Sequence, residues 1–202
     1  FEEKLKKLLK SKYVVAVSNG TVALDLAYKA IGLKRKDEVI LPAMSYISTA
    51  SAISYQGGIP FFVDIDPINN CIDTRQIEKA ISKKTKALSF IDYGGNPANH
   101  KKILKISKKY KLPIIHDAAQ SLGAYIDQKP LGANGTLSTM SFHMAKIITT
   151  IEGGAVFTNN FKLFKKLLIL RNIGEIPSKK YNHVMLGTNA RMTELQAAFG
   201  IA

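Results

Sequence analysis

The chain has 202 residues, 46% of them hydrophobic, a single cysteine and a formal net charge of +14. That length and apolar content favour one large domain with a sizeable core. No apolar run reaches the ~18 to 20 residues of a membrane span, and a lone Cys71 excludes an internal disulfide or a thiolate metal cluster, so a soluble, cytoplasmic protein is expected.

The positive charge raises nucleic acid as a partner, since clustered lysine and arginine release counterions from phosphates. The lysines, however, are spread over several segments that read as polar helix faces. There is no zinc-finger spacing and no aromatic RNA-binding signature, so no nucleic-acid partner is expected. A field of this sign also draws in phosphorylated small molecules.

Phe1 to Leu9 reads as an amphipathic helix without the apolar core and cleavage site of a signal peptide. Val14 to Val17 is a strand candidate. It runs through Ser18-Asn19-Gly20-Thr21 into a helical pattern from Thr21 to Ala30 that closes at Gly32. At such a turn, Gly20 lets the backbone approach an anion, the free amides of the helix start point at it, and Thr21 adds a hydroxyl. An ordinary capped turn explains the same residues.

Val39-Ile40-Leu41 is a second strand, followed by Pro42 and by Tyr46 at the start of a helical pattern through Ala50, Ile53 and Ser54. Tyr46 is placed either to stack on a flat ring or to pack in the core. Ile59 to Val63 and Ala87 to Ile91 are further strands, with helices over Thr74 to Ser82 and His100 to Lys111. Cys71 reads as a passive residue near a turn.

Pro113 to Ile115 is a strand ending on His116-Asp117. It puts Asp117 at a strand's carboxyl end, where a buried carboxylate is costly unless paired, or makes it a helix cap for Ala118-Ala119-Gln120. After Gly135 come short apolar segments at Ser138 to Phe142 and Gly154 to Thr158, then a helix from Phe161 to about Arg171.

Alternating strands and helices predict an α/β fold with a mainly parallel sheet and helices on both faces. Ligands gather at the carboxyl ends of such strands. No internal repeat or interdomain linker interrupts the pattern. The chain starts without methionine and stops inside an apparent helix, so it reads as part of something longer.

Lys146 lies in Ser141-Phe142-His143-Met144-Ala145-Lys146, ahead of Glu152-Gly153-Gly154. A lysine among apolar and hydroxyl neighbours, downstream of a strand-end carboxylate, is the pair that pyridoxal-phosphate chemistry needs. The amine holds the aldehyde, and the carboxylate keeps the pyridine nitrogen protonated. Burial would lower the lysine's pKa and free its amine. In so lysine-rich a chain, a surface role for Lys146 is the competing explanation.

Taken together, Ser18-Asn19-Gly20-Thr21, His116-Asp117-Ala118-Ala119-Gln120, Ser141-Phe142-His143 with Lys146, Thr149-Thr150, Glu152-Gly153-Gly154 and the run from Gly187 to Ala198 resemble the DegT/DnrJ/EryC1/StrS sugar aminotransferases. The resemblance covers Phe1 to Ala202. It implies an aspartate-aminotransferase-like large domain (fold type I) over residues 1 to 202, with a small C-terminal domain missing. It also implies pyridoxal 5'-phosphate as cofactor, a homodimer, and amino transfer from glutamate or glutamine to a nucleotide-linked keto sugar.

Carried over residue by residue, the resemblance makes Lys146 the Schiff-base lysine and acid/base, and Asp117 the partner of the pyridine nitrogen. Gln120 would lie near the ring's oxygen side, and Tyr46 would stack on the ring. Gly20, Thr21 and Ser141 would hold the phosphate, with His143 a further cofactor-side polar group. Asn189 would reach the phosphate in the partner subunit.

Family members with histidine in place of the lysine remove a sugar hydroxyl instead, and Lys146 argues against that branch. A catalytically idle homologue is the other alternative. Two features depart from the family pattern. Met144-Ala145 stands before the lysine, and Ile151 precedes Glu152 where glycine is usual, so Ile151 is expected to crowd the turn.

Overall fold

The computed structural model describes residues 1–202. Its helices are α1 (Glu2–Leu9), α2 (Gly20–Ala30), α3 (Ser48–Tyr55), α4 (Thr74–Ala80), α5 (His100–Tyr110), α6 (Phe161–Arg171) and α7 (Glu194–Phe199). The strands are β1 (Tyr13–Val17), β2 (Glu38–Pro42), β3 (Ile59–Val63), β4 (Thr85–Ile91), β5 (Ile114–Asp117), β6 (Tyr125–Ile126), β7 (Lys129–Pro130), β8 (Leu137–Ser141) and β9 (Gly154–Thr158).

Seven strands form one sheet in the order β1-β9-β8-β5-β4-β2-β3. Pairing is parallel from β8 through β5, β4 and β2 to β3, and antiparallel where β9 meets β8 and β1. The two short apolar segments after Gly135 are therefore the hairpin β8–β9, which the expected strand–helix alternation did not resolve. β6 and β7 make a separate small hairpin. Its turn residues Asp127 and Gln128 both have positive φ, as the tightest hairpin turns require.

Burial on both sheet faces explains the near-continuous apolar strands. One core gathers Val15, Val17, Ala87, Ile115 and Val156 under α2, α3 and α6. The opposite face packs Ile40, Leu88, Phe90 and Ile114 against Ile77 of α4 and Ile103 and Ile106 of α5. A third cluster joins Leu5 and Leu9 of α1 to Val14, Phe142 and Phe157. The edge strand β3 departs from this pattern, because Ile59, Phe61 and Phe62 are exposed.

The helix ends follow local chemistry. Asn19, Asp73, Asn99, Asn160 and Thr193 each accept a backbone N–H at a helix start, satisfying donors that the helix cannot. Helix α3 begins at Ser48, so Tyr46 lies in the turn before it rather than in its first turn. Cys71 is buried near a turn, with Asn69 and Asn96 carbonyls 3.4 and 3.3 Å from its sulfur, and burial pushes its thiol pKa up.

Side chains alternate along a strand, and on β5 that alternation separates two neighbours. His116 joins the α4/α5 side, where its ring stacks on Phe90 at 4.4 Å, whereas Asp117 meets Thr49 of α3 on the other. Buried Asp92, just past β4, accepts from His116 Nε2 at 2.9 Å, His100 Nε2 at 2.7 Å and the Ala98 amide at 2.9 Å. The buried Nδ1 of His116 has no partner. Nε2 is therefore the nitrogen that donates to Asp92, since a carboxylate can only accept.

Burial opposes ionisation of Asp92, but the bonds from His100 and His116 outweigh it and hold the carboxyl well below the usual carboxylate range. A carboxyl depressed on folding contributes stability above its unfolded pKa of ~3.9 and loses it as pH falls through the folded value. Asp92→Asn is therefore expected to flatten the acid limb of a stability-against-pH curve followed by circular dichroism. At neutral pH it should cost about 3 to 5 kcal/mol, the scale of removing one partner of a buried ion pair.

Candidate active site

The carboxyl ends of β1, β2, β5 and β8 surround a cavity of about 560 Å³ lined by Gly20, Thr21, Tyr46, Asp117, Gln120, Ser141, His143 and Lys146. Eight of the nine residues expected at a site thus meet in one place, as the strand-end rule for α/β sheets predicts. The ninth, Asn189, is exposed in a segment bridged to Asn172 and does not line this cavity. That segment still backs the site, since the Ala190 carbonyl accepts the Ser18 amide at 3.0 Å.

One wall is the start of α2. Asn19 is extended and its side chain accepts from the Val22 amide at 2.9 Å, which leaves the Gly20 and Thr21 amides without an intrahelical acceptor. The Thr21 hydroxyl lies 2.7 Å from the Ser48 hydroxyl, joining the starts of α2 and α3. A Cβ on Gly20 would sit 2.7 Å from the Ser141 Cβ, so only glycine lets this turn rest against β8. Free amides, two hydroxyls at helix starts and Ser141 alongside are groups that suit an anion.

Asp117 forms the floor. Only 3% of its surface is exposed, and its oxygens accept from the Thr49 hydroxyl at 2.7 Å and the Ala119 amide at 3.2 Å. Both donors are neutral. Burial raises the carboxyl's pKa, partly offset by those bonds and by the charges of His116 and Lys146. Gln120 is fixed by the Gly94 amide, which donates to its Oε1 at 2.6 Å. The Gly94-Gly95 turn is thereby tied to the cavity.

Lys146 stands on the loop joining β8 to β9. Phe142 clamps the base of this loop. Its amide donates to the Gly153 carbonyl at 2.8 Å, and its carbonyl accepts the Thr150 amide at 2.9 Å and the Thr149 hydroxyl at 3.1 Å. At the tip, the Lys146 amide donates to the His143 carbonyl at 2.9 Å. Lys146 is half-buried rather than enclosed. It borders both the main cavity and a second one of about 310 Å³ lined by Ile147, Ile148 and Leu122.

Ile151 does not crowd this turn, since its side chain is 64% exposed. The cost lies in its backbone, held at φ 70°, a left-handed conformation that burdens a β-branched residue by about 1 to 2 kcal/mol. Ile151→Gly is expected to raise the unfolding free energy in urea by about 1 kcal/mol, leaving the Phe142 clamp in place.

Sequence reading missed Ser48 and Thr49 as site residues, and it took Glu152 only as part of the turn after Lys146. The first two sit at the start of α3, where hydroxyl residues look like ordinary capping chemistry. Glu152 also borders the cavity, 3.6 Å from His143 Nε2. The available signal was the spacing of Ser45 and Thr49, four residues apart just beyond a strand end.

Solved structures share this architecture. A Bacillus subtilis protein described as ntda with bound cofactor PMP superposes with a TM-score of 0.94 at 36% identity, covering 99% of this chain and 46% of that one. Among curated proteins, GDP-perosamine synthase of Escherichia coli O157:H7 is 39% identical over 202 residues, which is 100% of this chain and 56% of that protein. The dTDP-4-amino-4,6-dideoxy-D-glucose transaminase of Shigella dysenteriae is 39% identical over 200 residues, 99% of this chain and 53% of that protein. The chain thus spans about half the length of these relatives. With the fold, the strand-end cavity and a family model matching residues 1–202 in agreement, the chain belongs to the DegT/DnrJ/EryC1/StrS aminotransferase family.

Proposed function

We propose that residues 1 to 202 are the cofactor-binding large domain of a pyridoxal-phosphate-dependent aminotransferase. It moves an amino group from glutamate or glutamine to a nucleotide-linked keto sugar. The observation that carries this reading is the convergence on one cavity of Lys146, a buried Asp117 bonded only to neutral donors, and the open amides of α2.

These residues fit the cofactor. An unpaired buried carboxylate is costly, and a pyridine N–H is a cationic partner of the right kind for Asp117. The α2 start and Ser141 suit a phosphate. Tyr46, 68% exposed beside the cavity, offers an aromatic face. Bound there, pyridoxal phosphate supplies an aldehyde that takes up the amino group and a ring that stores electrons during transfer.

The chain's residues supply the rest. Lys146 Nζ would hold the cofactor, and its free amine would take a proton from the donor's α-carbon and return one to the acceptor's carbon. Asp117 would favour a protonated ring nitrogen. Gln120, fixed through Gly94, would stand beside the ring.

The substrate class follows from the two curated relatives, one named for a GDP-linked amino sugar and one for a dTDP-linked amino sugar. A homodimer is part of the proposal. Asn189 is exposed outside its own cavity and so is free to serve a partner's site, and exposed Tyr46, Ile47, Met144 and Ile147 offer apolar surface for a second copy to cover. A lone, buried Cys71 suits the reducing cytoplasm.

The test is to add pyridoxal phosphate to the purified chain, reduce with borohydride and map the modified peptide. A visible absorption band with the label confined to Lys146 supports the proposal. It then justifies screening nucleotide-linked keto sugars with glutamate and glutamine. Label scattered over exposed lysines would reject the site.

A further inference from the structure

Three hydroxyl-bearing and acidic side chains form a line behind the floor of the cavity. Ser45 Oγ lies 2.7 Å from Thr49 Oγ1, and Thr49 Oγ1 lies 2.7 Å from Asp117 Oδ2. Thr49 is wholly buried, and Ser45 is half-buried in the turn before α3. The direction of each bond is dictated by chemistry. An ionised carboxylate only accepts, so Thr49 must spend its one proton on Asp117. Ser45 must then donate to Thr49.

We infer that Thr49, with its hydroxyl aimed by Ser45, is a positioning residue that holds the Asp117 carboxylate ionised and in one orientation for the ring nitrogen of the bound cofactor. This deepens the proposed function and rests on it for the identity of that cofactor. The geometry itself stands on this chain alone. Each Asp117 oxygen accepts one bond, Oδ2 from Thr49 and Oδ1 from the Ala119 amide. With both oxygens held, the carboxyl plane cannot rotate, and each oxygen keeps a lone pair for a further donor.

The surroundings of Asp117 give Thr49 this weight. The charged or titratable groups near it are Lys146 from the β8–β9 loop, His116 from its own strand and Tyr28 of α2, whose hydroxyl bonds Ser89 at 3.0 Å. Helix α3 presents only hydroxyls to it. Burial favours the protonated acid, and the Thr49 bond is the first of the opposing influences. A protonated Asp117 could reverse the line, donating to Thr49 and leaving no carboxylate for a pyridinium.

The experiment compares wild type with Thr49→Val, Thr49→Ser and Ser45→Ala. The carboxyl resonance of Asp117 is followed by carbon-13 NMR in the cofactor-free protein, and pyridoxal phosphate affinity is measured separately. A hydrogen bond to a charged group is worth a factor of 10 or more. Thr49→Val should therefore raise the Asp117 titration midpoint by about one unit or more. Thr49→Ser should restore it, and Ser45→Ala should give a smaller shift of the same sign. Affinity for pyridoxal phosphate should fall about tenfold in Thr49→Val and recover in Thr49→Ser.

A Thr49→Val midpoint within about 0.3 unit of wild type, or serine behaving like valine, would overturn the inference. If the wild-type chain fails to bind pyridoxal phosphate while the midpoints move as stated, the cofactor reading fails and the positioning role stands. Should Thr49→Val not fold, the Ser45→Ala midpoint decides alone, since that change leaves the Asp117 contacts intact. No shift in it would reject the line.

Discussion

Lys146→Ala should abolish covalent loading by pyridoxal phosphate and lower amino transfer by at least about 10³-fold, within the range lost with a general acid/base and compounded here by loss of the nucleophile. Folding should be little affected. Lys146 is half-buried at the tip of a loop whose base is held by Phe142, Thr149, Thr150 and Gly153. Its own side chain makes no hydrogen bond or ion pair within the chain that alanine would break. The contrast to measure is a urea midpoint near that of wild type beside a spectrum without the bound-cofactor band. A band of wild-type intensity in Lys146→Ala would mean that another amine holds the cofactor.

Asp117→Asn should separate stability from activity in opposite directions. Burial raises the carboxyl's pKa in the folded chain. An acid of this kind contributes most to stability below its unfolded pKa of ~3.9 and loses that contribution as pH rises through the folded value. At neutral pH the cofactor-free protein is therefore less stable than it would be with an uncharged group at this position. Asparagine keeps the shape and an acceptor for Thr49 without the charge. Thermal unfolding without cofactor should be raised by a few degrees at pH 7, with the gain shrinking towards pH 4.

With cofactor the order reverses. Asparagine cannot keep the ring nitrogen protonated, and turnover should fall by at least about 10²-fold. A variant with full activity would remove Asp117 from the chemistry. One destabilised at neutral pH would show that the carboxylate is already compensated in the free chain.

Most of the fold was legible because both faces of the central sheet are buried. Continuous apolar runs at Val14 to Val17, Val39 to Leu41 and Ala87 to Ile91 became β1, β2 and β4 with their ends shifted by a few residues at most. The β8–β9 hairpin was harder to place. A long loop carrying Lys146 separates its strands, and neither apolar segment reveals the direction in which it pairs. β3 looked like any other strand. Sheet order alone makes it an edge, and no local signal marks that exposure.

The cavity lining was legible where unusual residues follow strands, as at Asp117, Lys146 and Gly20. It was illegible at Thr49, because a hydroxyl's role depends on which strand end α3 packs against. Ile151 shows the same division. Its presence before Glu152 is visible in sequence, but the left-handed backbone that makes it costly is a property of the closed loop.

The one-residue offset between His116 and Asp117 makes β5 a parity device. Deleting or inserting a single residue between Pro113 and His116 would shift the strand by half a period and turn each of the two side chains to the opposite face. An insertion would bring the imidazole to the cavity in place of Asp117, and a deletion would bring the carboxylate to the place of His116 facing Asp92, where two acids cannot both ionise at low cost. Changes of two residues would preserve the facing. Length variation in this segment is therefore filtered by odd and even, a constraint that substitution tolerance at either position alone would never disclose.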